Sequence, residues 1–297
     1  MKILVTGATG QVARSLLERA PRHGVEILTV GRPELDLLEE ASVIAALQRV
    51  RADVIVNAAA ATAVDRLESD PALAHRVNAE GAGAVARAAA ALGAAVVQLS
   101  TDYVFDGALA RPYMEDDATA PLNVYGLSKL AGEAAVGAAN PRHVILRTSW
   151  VYSPYGNNFV AAMLRLSRGG GRVRVVADQV GAPTSAHDLA DAIIAVCQRL
   201  AAPGAGAEHY GVFHATAAGE TSWAGFAALI FESAVSLGRA QAQVTPITTA
   251  DYPPPARRPR NSRLACDRLR RVYGLMLPDW RAAARACVAR MIEEGSA

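Results

Sequence analysis

Tyr125 and Lys129 stand four residues apart in the stretch "NVYGLSK" (123–129). On an α-helix this spacing puts both side chains on one face. A phenol is a weak acid, with a reference pKa of ~10. A neighbouring cation stabilises the phenolate and makes the tyrosine a better proton donor. Bringing the phenol to about 7 takes roughly 4 kcal/mol of differential interaction. A lysine together with a bound cationic ring can supply that in a dry cleft. The same spacing also arises where a solvated lysine lies beside a half-buried tyrosine, so the pair points to chemistry only if a cofactor site lies elsewhere in the chain.

"TGATGQVA" (6–13) meets that condition. It follows an apolar run and opens a helical pattern. Gly7 and Gly10 permit a tight turn and close approach of the backbone to a phosphate, whose charge then rests at the helix N-terminus beside Gln11 and Val12. Ala13 is small enough for close packing of helix on strand. This GxxGxxA spacing is typical of short-chain dehydrogenases, although an ordinary strand–helix turn reads similarly. The second strand ends in Gly31-Arg32 with no carboxylate at its tip. An acidic residue there suits a ribose 2′-hydroxyl, whereas arginine suits a 2′-phosphate. NADPH is therefore favoured, with NADH as the lesser alternative. Asp36 and Leu37 are candidates to flank the adenine. "NAAAATAVD" (57–65) ends the third strand in small residues, which leaves room for a flat cofactor along Ala60, Ala61 and Thr62. "LSTDYVFDG" (99–107) ends the fourth strand, with Leu99 on the cofactor side. Its Ser100, Thr101 and Asp102 lie where open α/β sheets bind ligands, and a hydroxyl there can bond a carbonyl oxygen under reduction.

The elements needed to position these groups are readable. "KILVTG" (2–7), "VEILTV" (25–30), "DVIVNAAA" (53–60), "AAVVQLS" (94–100) and "HVILRTS" (143–149) read as strands. Helical patterns over 11–22, 38–50, 71–92 and around Tyr125 alternate with them. Such alternation predicts a doubly wound parallel sheet of Rossmann type, and continuous apolar strands suit a sheet covered on both faces. After Tyr152 the loops lengthen and Pro and Gly become frequent. The expected division is a dinucleotide-binding domain over 1–152, completed by a helix at 188–200 and the strand "YGVFHA" (210–215) within about 186–217. A smaller substrate-binding domain is expected from 153–185 and 218–297, notably 222–237 and 279–294.

Composition bounds the rest. The chain has 297 residues, 52% hydrophobic and 20% charged, with a formal net charge of +2. That is enough for a full core and gives no electrostatic case for nucleic acid. Cys197, Cys266 and Cys287 make no paired-thiol spacing, which fits a reducing cytoplasm and argues against a disulfide scaffold or structural zinc. The first residues are too short for a signal peptide's apolar region, and no apolar run reaches a membrane span.

The ordered set "TGATGQVA", "DVIVNAAAATAVD", "STDYVFDG", "APLNVYGLSKLAGE", "RTSWVYSPYGNNF", "DQVGAPT" and "ARRPRNSRL" resembles the dTDP-4-dehydrorhamnose reductase family of extended short-chain dehydrogenases, from Met1 to about Arg290. The resemblance implies NADPH-dependent reduction of the C4 ketone of a dTDP-linked 4-keto-6-deoxysugar. Tyr125 would donate the proton, Lys129 would hold the nicotinamide ribose and lower the tyrosine pKa, and Thr101 would bond the reacting oxygen. Gly10, Gln11 and Val12 would meet the pyrophosphate, and Ala60, Ala61 and Thr62 the adenosine side. Thr101, Asp102 and Trp150 would touch the sugar. Arg258, within the basic run Arg257, Arg258, Arg260 and Arg263, would meet the nucleotide diphosphate. Many members carry a histidine where this chain has Ala61. Some dimerise through magnesium held by glutamates, at positions that fall near Ser15 and His187 here. The expectation is therefore no metal site and a monomer or weak homodimer. Two rivals remain open: an NADP-binding regulatory subunit of the kind that serves methionine adenosyltransferase, and a nucleotide-sugar epimerase or dehydratase.

Overall fold

The computed structural model describes residues 1–240 and 242–295. Positions 241, 296 and 297, all within the segment expected for the substrate domain, lie outside the described residues. In chain order the elements are β1 (Lys2–Thr6), α1 (Gln11–His23), β2 (Glu26–Val30), α2 (Glu40–Val50), β3 (Val54–Asn57), α3 (Val64–Leu67), α4 (Pro71–His75), a π-helical segment (Arg76–Gly81), α5 (Ala82–Ala91), β4 (Ala95–Thr101), α6 (Val124–Ala139), β5 (His143–Thr148) and β6 (Val151–Tyr152). There follow α7 (Phe159–Ser167), β7 (Gly171–Val176), β8 (Val180–Gly181), β9 (Thr184–Ser185), α8 (Ala186–Ala201), β10 (Gly211–His214), β11 (Thr221–Ser222), α9 (Trp223–Ser236), β12 (Ala242–Ile247), α10 (Asp267–Tyr273) and α11 (Trp280–Glu293).

Six strands form one parallel sheet in the order β10-β5-β4-β3-β1-β2. Alternate residues of each strand feed opposite cores, as the two-residue period of a strand requires. Ile3, Val5, Val54, Val56, Ala95 and Val97 pack with α1 and α8 on one face. Leu4, Ile55 and Val96 pack with α2, α5 and α6 on the other. Strand order reverses between β1 and β3, so a ligand crevice is expected at their carboxyl ends. A third core gathers α7, α9, α11 and the parallel pair β7–β12.

The expected sheet is present, and "YGVFHA" does return to it through β10 beside β5. Two readings needed adjustment. The third strand stops at Asn57 rather than Ala60, because the Ala59 amide turns to the Thr6 hydroxyl at 3.1 Å. The helix expected over 71–92 is interrupted by the π-helical turn Arg76–Gly81, and such turns are frequent at functional sites.

Asn123 caps α6 by accepting from Gly126 N at 2.8 Å. The helix then lies unusually close to its neighbours. A Cβ on Gly126 would sit 2.2 Å from the Tyr103 carbonyl oxygen, and one on Gly132 would sit 2.1 Å from that of Asn78. Glycine at both positions lets α6 bring its side chains to the end of β4.

Candidate active site

The glycine turn begins with Gly7 at φ +81°, a conformation in which L side chains are strained. A Cβ there would also meet Ala59 Cα at 3.0 Å. Gly7 N donates to Val30 O at 2.8 Å, and Gly10 N to Gly7 O at 2.9 Å. Gly10 is the N-cap of α1, which has neither a side-chain cap nor an acidic residue in its first turn. The amides and positive dipole end of a 13-residue helix are therefore presented without a competing carboxylate. This arrangement fits a dinucleotide diphosphate. Gln11 accepts from Ser153 Oγ at 2.8 Å, which ties the turn to the loop after β6, and Val12 packs against the first core.

At the tip of β2, Arg32 is exposed, and neither Val30 nor Gly31 before it carries a carboxylate. Asp36 spends one oxygen on the Leu38 amide at 3.0 Å. The Leu37 side chain is buried and packs so closely that a Cβ on Gly81 would lie 2.7 Å from its own Cβ. Ala60 and Ala61 are half-buried and Thr62 is exposed. Ala61 is held at both ends by Asn78 of the π-helical segment: its N donates to Asn78 Oδ1 at 2.8 Å, and its O accepts from Asn78 Nδ2 at 2.9 Å. The same Nδ2 donates to Ser128 Oγ at 2.9 Å. Asn78 thus joins the adenosine-side loop to α6. Sequence reading missed it, since nothing in "RVNAEG" marks a π turn.

A buried polar chain crosses the carboxyl edge of the sheet. Thr6 Oγ1 donates to Asn57 Oδ1 at 2.5 Å, Asn57 Nδ2 to Gln98 Oε1 at 2.7 Å, and Gln98 Nε2 to Leu99 O at 2.8 Å. Lys129 Nζ donates to the same carbonyl at 2.7 Å. The structure therefore connects the glycine turn to the lysine, and Leu99 contributes its carbonyl to that connection.

Tyr125 is half-buried, with its ring edge-on to Tyr103 at 5.8 Å, and its hydroxyl bonds Thr101. Burial, and next the charge of Asp102, push the phenol well above its ordinary value. Burial pulls Lys129 down to about 8, opposed by the carboxylate of Glu133. Lys129 gives its ammonium to Leu99 O, and desolvation dominates the phenol; the lowering of Tyr125 is expected from the lysine together with a bound cationic ring. Thr101 Oγ1 donates to Asp102 Oδ1 at 3.1 Å, and burial pushes the Asp102 carboxyl up to about 7. Thr101, Asp102, Tyr125 and Lys129 form one cluster.

Trp150 has φ +49° and stacks on Trp223 at 3.6 Å with an interplanar angle of 11°. Its other neighbour is Gly181, where a Cβ would meet the indole at 2.7 Å. It is half-buried, neither plain core nor a free platform. Trp223, which backs it, went unnoticed in the sequence. In the basic run, Arg258 pairs with Asp65 through Nη1 at 3.0 Å and Nη2 at 2.8 Å. Arg263 reaches Glu220 and Ala110 O, while Arg257 and Arg260 are exposed. The run is pinned rather than loosely solvated, since Val180 N donates to Arg260 O and Ser262 N to Val180 O.

Ser15 is buried within α1. His187 Nε2 lies 3.0 Å from Glu18, which Arg290 also engages at 2.7 Å. Among the described residues no three His, Cys, Asp or Glu side chains are grouped to hold a metal, and no helix is long and apolar enough to cross a membrane.

A family model described as the RmlD substrate binding domain matches residues 1–293. The chain is 49% identical to a dTDP-4-dehydrorhamnose reductase of Sinorhizobium fredii over 295 residues, covering 99% of each chain. It is 44% identical to the enzyme of that name from Salmonella typhimurium, covering 98% of each. Among solved structures, a dTDP-4-dehydrorhamnose reductase from Bacillus anthracis in complex with NADP superposes with a TM-score of 0.90 at 35% identity, covering 97% of this chain and 99% of that one.

Proposed function

The chain belongs to the dTDP-4-dehydrorhamnose reductase family, and from that premise we propose that it reduces the C4 ketone of dTDP-4-dehydro-L-rhamnose to dTDP-L-rhamnose with NADPH. The observation that carries this reading is the meeting of Thr101, Tyr125 and Lys129 at the end of β4, on the crevice side that also holds the glycine turn. Bound NADPH supplies the hydride and, once oxidised, a cationic ring. Gly7, Gly10, Gln11 and Val12 hold the pyrophosphate at the start of α1. Ala60, Ala61 and Thr62 line the adenosine side, with Asp36 and Leu37 near the adenine and Arg32 at the 2′-phosphate. Leu99 and Lys129 hold the nicotinamide half.

Tyr125 gives its hydroxyl proton to O4 as the alkoxide forms, and Thr101 orients that oxygen. Asp102 and Trp150 contact the sugar. Arg258 serves the dTDP diphosphate, exchanging its Asp65 partner for phosphate, whose geometry matches the guanidinium fork. The dinucleotide-binding domain spans 1–152 and about 186–217, and the substrate-binding domain 153–185 and 218–297. The protein works in the cytoplasm as a monomer or weak homodimer.

The test is NADPH oxidation with dTDP-4-keto-6-deoxyglucose, in the presence and absence of a 3,5-epimerase. Stoichiometric oxidation that depends on the epimerase is expected. No oxidation with either sugar would favour the regulatory-subunit reading, and turnover without net NADPH loss would favour an epimerase or dehydratase.

A further inference from the structure

Tyr125, Lys129 and Glu133 recur every fourth residue on α6, so one helix face carries a phenol, an ammonium and a carboxylate in line. Glu133 is not a solvated helix residue. It is 6% exposed, among Lys129 at 4%, Arg147 at 4% and Ser100 at 5%. Arg147 Nε donates to its Oε1 at 2.9 Å and Nη2 to its Oε2 at 2.6 Å, a forked pair reaching from β5. Ser100 Oγ donates to Oε1 as well.

Three successive residues of β4 therefore engage this machinery. Leu99 gives its carbonyl to Lys129, Ser100 gives its hydroxyl to Glu133, and Thr101 meets Tyr125. We propose that Glu133, clamped by Ser100 of β4 and Arg147 of β5, is a positioning residue: it ties α6 to the sheet so that Lys129 meets Leu99 O, and it places a negative charge one helical turn from the ammonium. This rests on the proposed reductase chemistry only for the assignment of Lys129 to the cofactor.

The surrounding charges single out Glu133. From its own helix, Lys129 is faced by Tyr125 and Glu133. From β4 and the turn after it come Asp102 and Tyr103, and from β5 comes Arg147. Across α6 from this face, the exposed Arg76, Glu80 and Arg87 border a cavity with Ala131 and Ala135, neutral Asn78 bonds Ser128, and at the helix start Glu68 accepts from Val124 N at 2.8 Å. Asn57 and Gln98, on the far side, are neutral. Glu133 is the charge that opposes the effect of burial on Lys129. A purely structural ion pair is a poor reason to keep these groups, because buried pairs are often no more stabilising than apolar residues of similar volume.

The test compares wild type, Glu133→Gln, Glu133→Asp and the double variant Glu133→Gln, Arg147→Gln. The last leaves no unpaired buried arginine and guards against misfolding of the single variant. NADPH binding is followed by its fluorescence from pH 6 to 10, beside kcat/KM with the dTDP-keto sugar. Losing the carboxylate should move the basic limb of the NADPH-binding profile down by roughly one pH unit, at the low end of the effect of a nearby opposite charge. Affinity should recover at low pH, and Glu133→Asp should restore most of the wild-type profile. A reduced melting temperature with an unmoved midpoint in Glu133→Gln would overturn the proposal and leave Glu133 a structural residue, as would a double variant, which loses one charge of each sign, whose midpoint moves as far as that of the single variant. Wild type that binds NADPH but does not oxidise it would overturn the reductase reading instead, while the binding profile still decides the role of Glu133.

Discussion

The two halves of the sheet's carboxyl edge solve different problems with different materials. At β1, β2 and β3 the edge is built from backbone and small or neutral side chains: Gly7, Gly10, Ala59, Ala60, Ala61 and the bonded pair Thr6–Asn57. At β4 and β5 it is built from ionisable groups, the buried Asp102, Lys129, Glu133 and Arg147 and the half-buried Tyr125. In the proposed function the first half would hold only the adenosine and diphosphate of the cofactor, whose charge does not change on hydride transfer, and fixed amide dipoles suffice for that. In the same proposal the second half would move a proton, and it keeps groups whose charge is shifted by burial and by one another. Uncompensated burial of such groups is costly, which accounts for the dense hydrogen bonding around Glu133.

The largest single effect is expected in the second half. Tyr125→Phe removes only a hydroxyl and keeps the ring against Tyr103. Turnover should fall by ~10²–10⁴, the contribution of a general acid, with NADPH affinity unchanged. Single-turnover NADPH absorbance measures both, and a near-wild-type chemical step would break the assignment.

Asp102 sharpens the contrast through pH. Its folded value of about 7 stands above the free value of 3.8 because burial disfavours the carboxylate. Between those values the folded state holds the proton and the unfolded state releases it, so stability falls as pH rises through that window. The ceiling on the loss is roughly 4 kcal/mol. Asp102→Asn removes the titration, so its melting temperature relative to wild type should rise between pH 5 and pH 8. Parallel curves for the two proteins would show that Asp102 stays ionised in the fold.

In the first half the sensitive feature is backbone shape. Gly7→Ala meets both a positive φ, costing about 1–2 kcal/mol, and Ala59 at 3.0 Å. NADPH affinity should weaken roughly tenfold, since about 1.4 kcal/mol is a factor of ten, with little change in the chemical step at saturation. A fall in the single-turnover rate with intact affinity would contradict the division of labour between the halves.

The two halves also differed in how far the sequence revealed them. The glycine turn is local: eight consecutive residues between a strand and a helix carry its geometry, so it can be read directly. Tyr125 and Lys129 were legible for the same reason, being one helical turn apart. Glu133 lies one further turn along, yet its partners Ser100 and Arg147 are 33 and 14 residues away, and only the sheet register brings them together. Asn78 was hidden because a π turn alters helix phase without a composition signature. Trp223 was hidden because its stacking partner is 73 positions earlier in the chain, across the seam between the sheet and the third core. Arg258 was recognised as part of a basic run, but its pairing with Asp65 depends on a contact 193 residues distant.

The smallest expected effect concerns Arg32, the cationic side chain assigned to the half built mainly from backbone and neutral groups. It is exposed at the tip of β2, and the second strand ends without a carboxylate that would repel a 2′-phosphate. A charge-assisted contact is worth about 1.5–3 kcal/mol when shielded, but an exposed one is screened by salt. About 1 kcal/mol is the sensible expectation, or a roughly fivefold change. Arg32→Ala should therefore lower the NADPH-to-NADH ratio of kcat/KM about fivefold at low salt and by less at high salt. NADH kinetics should stay as in wild type, because NADH has no 2′-phosphate to lose a contact. An unchanged ratio at low salt would place cofactor discrimination elsewhere. A matching loss with NADH would mean that Arg32 supports the turn itself, and the cofactor half would then depend on a charged side chain after all.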